Sequence, residues 1–221
     1  MSATLPRLVS RYTEAYVASL EAAADPHLAP FIDSIRGVAH GLAEPILHPH
    51  RDHPALRFLD QALVAARAEE RLCAATRALA PYLSFGSSYA FDGPTAAFAQ
   101  GMVWAEIAGR TGLVRDPTRR LGIFLLAPGL VYPLHGHEPD EIYFGLSGAL
   151  TVEHGYDGAR VAVTPGTYYR TPSDHPHALY IGDAPALIAY SWVGDFSKPV
   201  WFAETDKSGK RRKVKVQALR L

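Results

Sequence analysis

The sequence predicts a mainly β protein behind an α-helical N-terminal region, on three observations. Residue usage changes near position 115, where Ala, Leu and Arg give way to Gly, Pro, Tyr, Val and Thr, so helix formers yield to strand and turn formers. From Arg119 onward, short apolar or alternating runs recur between Gly/Pro turns, the even spacing of a β-barrel or jelly roll. Ahead of position 115, apolar residues recur instead at helical spacing. The expected division is a helical region over residues 1–114 packing on a barrel over residues 115–221.

The first helix is expected from about Pro6 to Ala24, with Tyr12, Tyr16, Leu20 and Ala23 on one face and Asp25-Pro26 as its stop. A short second helix covers about Leu28 to Gly41. The stretch EPILHPHRDHP reads as a loop. A long helix follows, with Asp52 or His53 ahead of Pro54 in its first turn and a stripe of Leu56, Leu59, Leu63, Ala66, Leu72, Ala75 and Leu79 that Pro81 ends. TAAFAQGMVWAEIAG allows helix or strand, and a strand-rich entry to the barrel near Phe98–Ile107 is expected. LGIFLLAP, EIYFGLSG, ALTVEHGYDG, ARVAVTPG, TYYRTPSDHP, HALYIGDAP and ALIAYSWVG then read as successive strands.

With 221 residues, 48% of them hydrophobic, the chain can bury a core without staples. Lys and Arg number 22 and balance 22 Asp and Glu, so neither a nucleic-acid partner nor an anionic membrane surface is expected. The single cysteine, Cys73, excludes an internal disulfide framework and a cysteine-rich zinc site, and is expected as a small buried helix residue. No apolar run approaches a membrane span, and MSATLPRLVSRYTEAY lacks a signal-like apolar run, so a soluble, cytoplasmic setting is expected. The basic tail KSGKRRKVKVQALRL reads as a solvated turn plus an edge strand, because Lys-Val-Lys-Val alternates with period two. His48-Pro-His50 with His53 is interrupted by proline and offers no regular ligand face.

The segment from Gly129 to Gly148 carries the chemistry. His135 and His137 are two apart, which on a strand puts both imidazoles on one face. Glu141 follows a short Pro-containing bend and brings a hard oxygen donor to two borderline nitrogen donors. Tyr143 shares the face of Glu141. A further ligand is expected from TPSDHPHALY, which offers His175 and His177. Three imidazoles and one carboxylate suit one divalent transition metal (Zn, Fe, Mn, Ni or Co) with room left for water or substrate.

Here the chain resembles the cupins, whose fold is a double-stranded β-helix or jelly-roll barrel. The first cupin motif, G(x)5HxH(x)3E(x)6G, is met at Gly129, His135, His137, Glu141 and Gly148. The second, G(x)5PxG(x)2H(x)3N, is met at Gly166, Pro172 and His177, with Asp174 in place of its Gly and Ile181 in place of its Asn. This match selects His177 over His175 as the closing ligand. Tyr132, His135, His137, Glu141 and Tyr143 at their spacing, behind a helical region of this size, resemble the cupin dimethylsulfoniopropionate lyases, with the DddL type the nearest likeness. The resemblance implies cleavage of dimethylsulfoniopropionate to acrylate and dimethyl sulfide, with Tyr143 as general base and Tyr132 beside the substrate. Pairing into a homodimer, common among cupins, is also implied.

Such a reaction is a β-elimination: a base removes the proton α to a carboxylate and the sulfonium leaves. Tyrosine is a poor base at its free pKa of about 10, and a nearby divalent cation makes phenolate accessible. The sulfonium calls for aromatic faces. Tyr168, Tyr169, Tyr180, Tyr190 and Phe196 are each expected in the barrel core, while Tyr132 and Trp192 are the first choices as substrate contacts. The rival readings are another metal-dependent cupin enzyme, a dioxygenase or an isomerase, and a non-enzymatic cupin sensor domain.

Overall fold

A computed structural model describes residues 4–38, 51–205 and 211–215. The helical part holds α1 (Leu5–Glu21), α2 (Ala29–Arg36), α3 (Leu59–Val64), α4 (Glu70–Leu79) and the single turn α5 (Ala96–Ala99). The strands are β1 (Met102–Gly109), β2 (Val114–Arg115), β3 (Arg120–Leu126), β4 (Val131–Gly136), β5 (Asp140–Ser147) and β6 (Leu150–His154). β7 (Ala159–Val163), β8 (Tyr168–Thr171), β9 (His177–Ile181), β10 (Ala186–Val193), β11 (Trp201–Thr205) and β12 (Arg211–Lys215) follow. They form two six-stranded sheets, ordered β2-β1-β3-β10-β5-β8 and β12-β11-β4-β9-β6-β7. This is the cupin barrel that the motifs predict. Its first sheet includes β1, which lies ahead of residue 115.

Period-two alternation gives the first sheet two apolar faces. Val103, Ala105, Ile123, Leu125, Ile142, Phe144, Leu187 and Ala189 face the helices, where Tyr12, Tyr16, Leu20, Phe31, Ile35, Leu72 and Leu79 meet them. Met102, Phe124, Leu126, Tyr143, Ile188 and Tyr190 belong to a second core inside the barrel. The expected stripe of α1 is buried at Tyr12, Tyr16 and Leu20; Ala23 lies past the helix end and is exposed. Its two tyrosines spend their hydroxyls on the sheet, Tyr12 donating to the Gly122 carbonyl and Tyr16 to that of Ala189. Each fully buried side chain of this size contributes about 1.5–3 kcal/mol.

The long helix expected from Pro54 to Pro81 is instead divided. His53 caps a 3-10 turn over Pro54–Phe58, and the chain breaks between α3 and α4. Tertiary contacts override the apolar stripe here. The Arg67 backbone N–H donates to the Leu146 carbonyl of β5, and its guanidinium donates to the Val64 and Ala66 carbonyls that close α3. The Glu69 carboxylate accepts the Leu72 N–H and restarts the helix. The strand expected near Phe98–Ile107 begins only at Met102, because Ala96–Ala99 forms the turn α5. Cys73 is buried on α4. Lys213-Val214-Lys215 lies in the edge strand β12, paired with β11. His48 and His50 fall outside the described residues.

Candidate functional site

β4 and β9 pair with His135 opposite His177, so two imidazoles meet across the ladder with ring centroids 4.1 Å apart. His137 follows directly after β4 and brings its ring within 5.1 Å of His177. One ring nitrogen from each histidine lies within 4.8 Å of the others, and all three residues are buried. Gly136 has a packing reason: a Cβ there would come 2.3 Å from the Trp201 indole, which covers that face of the strand.

The second motif's departure at Asp174 has a structural counterpart. Asp174 adopts φ 56°, the left-handed conformation that glycine takes without strain. Its carboxylate accepts the Trp201 indole N–H at 2.6 Å and pairs with Lys213, and its own N–H donates to the His137 carbonyl. These contacts hold the strained turn and fasten β11, β12 and the His137 backbone together.

The histidines share a tautomer. Nδ1 of His135, His137 and His177 lies 2.8, 2.9 and 3.0 Å from the carbonyls of Pro133, Pro139 and His175. A carbonyl only accepts, so each Nδ1 carries a hydrogen and the Nε2 atoms face one another. Burial, and then the neighbouring His137, push His135 down to about 3; burial, and then His135 and His137, hold His177 well below its ordinary range. His135 and His177 are thus neutral donors. His137 Nε2 also sits 2.8 Å from a Glu141 carboxylate oxygen, and two acceptors at that separation require a proton or cation between them. This donor set fits a divalent transition metal.

Glu141 stands beside His137 on β5, outside the three donors that converge most closely. Tyr143, two residues on, is fully buried, with its hydroxyl 3.2 Å from His177 Nε2. Burial first, and the Glu141 carboxylate second, raise its pKa well above 10. Tyr132 lies tilted against His135 with centroids 3.9 Å apart, and Trp192, paired in register with Glu141, stacks on His137 at 4.3 Å. The Arg120 guanidinium lies over the Trp192 ring at 5.3 Å. His175 points its ring toward His154 and contributes only its carbonyl to the cluster. Tyr168 leaves the barrel interior for the helices and donates to Asp25.

Sequence reasoning missed Tyr89, whose hydroxyl hydrogen-bonds the Tyr132 hydroxyl and whose ring meets Phe98, Tyr132 and Phe202. Gly86, in the same segment, bridges to Trp104 of β1. The segment therefore reaches from β1 of one sheet to the Phe202 ring of β11 in the other.

Fold and site together define a cupin barrel enclosing a buried three-histidine cluster. The sequence model of the dimethylsulfoniopropionate lyase family matches residues 32–188. The chain belongs to that family. Dimethylsulfoniopropionate lyase DddQ of Ruegeria pomeroyi is 38% identical over 74 residues, a match spanning 33% of this chain and 36% of that protein's length. A chain from the crystal structures of the lyases RdDddP and RnDddQII superposes with TM-score 0.67 at 22% identity, covering 91% of this chain and 100% of its own length. The crystal structure of DddQ from Ruegeria pomeroyi superposes with TM-score 0.63 at 23% identity, over 86% of this chain and 94% of that one. These superpositions carry the fold, including the helices in front of the barrel.

Proposed function

We propose that this chain is a carbon–sulfur lyase that cleaves dimethylsulfoniopropionate to acrylate and dimethyl sulfide. In this reading His135, His137, Glu141 and His177 hold one divalent transition metal and Tyr143 is the general base. The observation that carries it is the Tyr143 hydroxyl, buried 3.2 Å from His177 Nε2 beside the three-histidine cluster, in a chain of this family.

A phenol buried beside Glu141 keeps its proton. The chemistry supplied by a bound divalent cation is positive charge, which favours phenolate and stabilises charge developing on the substrate carboxylate. Tyr143 removes the proton α to the carboxylate. The C–H electron pair becomes the new C=C bond, and the C–S bond breaks with its pair leaving on dimethyl sulfide. Burial of the cluster keeps water from the developing charge. Tyr132 and Trp192, whose rings border His135 and His137, are the proposed substrate contacts, offering aromatic surface to the sulfonium. We place the enzyme in the cytoplasm as a homodimer. Among the described residues no helix is long and apolar enough to cross a membrane.

The test is headspace detection of dimethyl sulfide from purified protein and dimethylsulfoniopropionate, with and without chelator. Tyr143→Phe is expected to lower release by about a hundred- to ten-thousandfold while bound metal is retained. Normal turnover in that variant refutes the base, and release unaffected by complete metal removal refutes the metal dependence.

A further inference from the structure

A row of paired residues crosses the first sheet beside the histidine cluster. Arg120 of β3 pairs with Trp192 of β10, and Trp192 pairs with Glu141 of β5. Behind Arg120 stands a buried carboxylate, Glu106 of β1. One of its oxygens accepts from the Thr111 N–H and from the Thr111 hydroxyl, at 2.7 Å each. The other faces Arg120 Nε at 3.9 Å, an ion pair too long for a hydrogen bond. Gly109 leaves room for this carboxylate, since a Cβ there would collide with the Glu106 carboxyl group.

Charge therefore tethers Arg120 to Glu106, and its Nε–H makes no hydrogen bond among the described residues. The guanidinium lies instead over two rings, Trp192 at 5.3 Å and Phe196 at 5.6 Å. The Trp192 indole N–H is buried and likewise makes no hydrogen bond among the described residues. No polar contact of its own thus orients the ring. Its plane is set by what packs on it: His137, stacked 25° from parallel at 4.3 Å, and Arg120 with Phe196. Phe196 belongs to the irregular segment after β10, whereas Arg120 is fixed from behind by a buried charge. A buried ion pair is a poor source of stability, and its best-attested use is to specify one arrangement over others.

We propose that Arg120 is a positioning residue for the histidine cluster: tethered by Glu106, it holds the Trp192 indole flat on His137. An imidazole kept in one plane gives up less freedom when its Nε2 takes a metal, so Arg120 raises metal affinity without touching the metal. That consequence rests on the reading of His137 as a ligand; the placement of Trp192 does not.

The first measurement is acrylamide quenching of tryptophan emission in the chelator-treated full chain. The difference between each protein and its Trp192→Phe counterpart isolates Trp192 from Trp104 and Trp201. Arg120→Met, apolar and of similar reach, is expected to raise the Trp192 quenching constant about three- to tenfold, while Arg120→Lys, which keeps the cation, stays within about twofold of the wild type. The second measurement is zinc affinity by competition with a chelating dye. It is expected to fall about three- to thirtyfold in Arg120→Met, and to fall no further when that change is added to Trp192→Ala. Thermal melts check folding. Should Arg120→Met fail to fold with Glu106 left uncompensated, Arg120→Met combined with Glu106→Gln removes both charges and tests the same contact. Unchanged Trp192 quenching in Arg120→Met, an equal rise in Arg120→Lys, or additive losses of zinc affinity would each overturn the proposal. Absence of zinc binding to the wild type would overturn the consequence for metal affinity, and quenching decides the placement of Trp192 by itself. Dimethyl sulfide release, measured separately, reports on the lyase reading alone.

Discussion

Metal-free protein is expected to lose stability as pH falls below about 6.5, and His135 sets the least size of that loss. In the folded chain His135 stays neutral down to about 3, against an ordinary value of 6.5. The unfolded chain takes up that proton first. The contribution is therefore complete above 6.5 and is lost progressively as pH falls toward 3, not as it rises. At about pH 5 the gap from the unfolded value is about 1.5 pH units, or about 2 kcal/mol at about 1.4 kcal/mol per unit. His177 is depressed in the same direction and adds to the loss. The assay is urea unfolding of chelator-treated protein near pH 7.5 and at about pH 5, for the wild type and His135→Gln. Glutamine stays neutral throughout, so the wild type should lose about 2 kcal/mol more than the variant across that interval. Parallel losses in the two proteins would show that His135 is not held neutral by burial, and with it the view of His135 as a bare lone pair would fall.

His137→Ala should leave the purified protein without stoichiometric metal by elemental analysis; full retention would sink the ligand assignment. Gly122→Ala should destabilise the fold by about 1–3 kcal/mol in thermal unfolding, because the new Cβ would meet the Ala105 carbonyl oxygen at 2.0 Å within the β1–β3 ladder. Glu69→Ala should cost about 1 kcal/mol, through loss of the cap on the Leu72 N–H, and leave metal content unchanged; an unaltered melting temperature would refute the cap.

The barrel was legible because its signals are local. His135-Gly136-His137 announces two imidazoles on one face and a small residue between them, and the structure supplies the reason for the glycine in the Trp201 ring that covers it. The β-turns of the motif are equally local: Gly129, Gly148 and Gly166 all take positive φ. What stayed hidden depends on contacts between distant parts of the chain. The break between α3 and α4 follows from Arg67 docking on Leu146, and no residue pattern within the helix announces it. Tyr89 stands 43 residues ahead of Tyr132, in a segment without periodicity, and only folding brings their hydroxyls together. Asp174 occupies a motif glycine's place while keeping its left-handed turn, a substitution that spacing alone shows as a mismatch.

The segment that carries Gly86 and Tyr89 makes the two halves of the chain inseparable in practice. A fragment beginning at residue 115 would keep every histidine of the cluster. It would also lose β1 from the sheet, uncover the β3 residues Leu121, Ile123 and Leu125, and remove the tyrosine that steadies Tyr132. Exchange of barrels between relatives would therefore have to carry the 84–109 stretch along, because the inner wall of the site is partly written in the helical half.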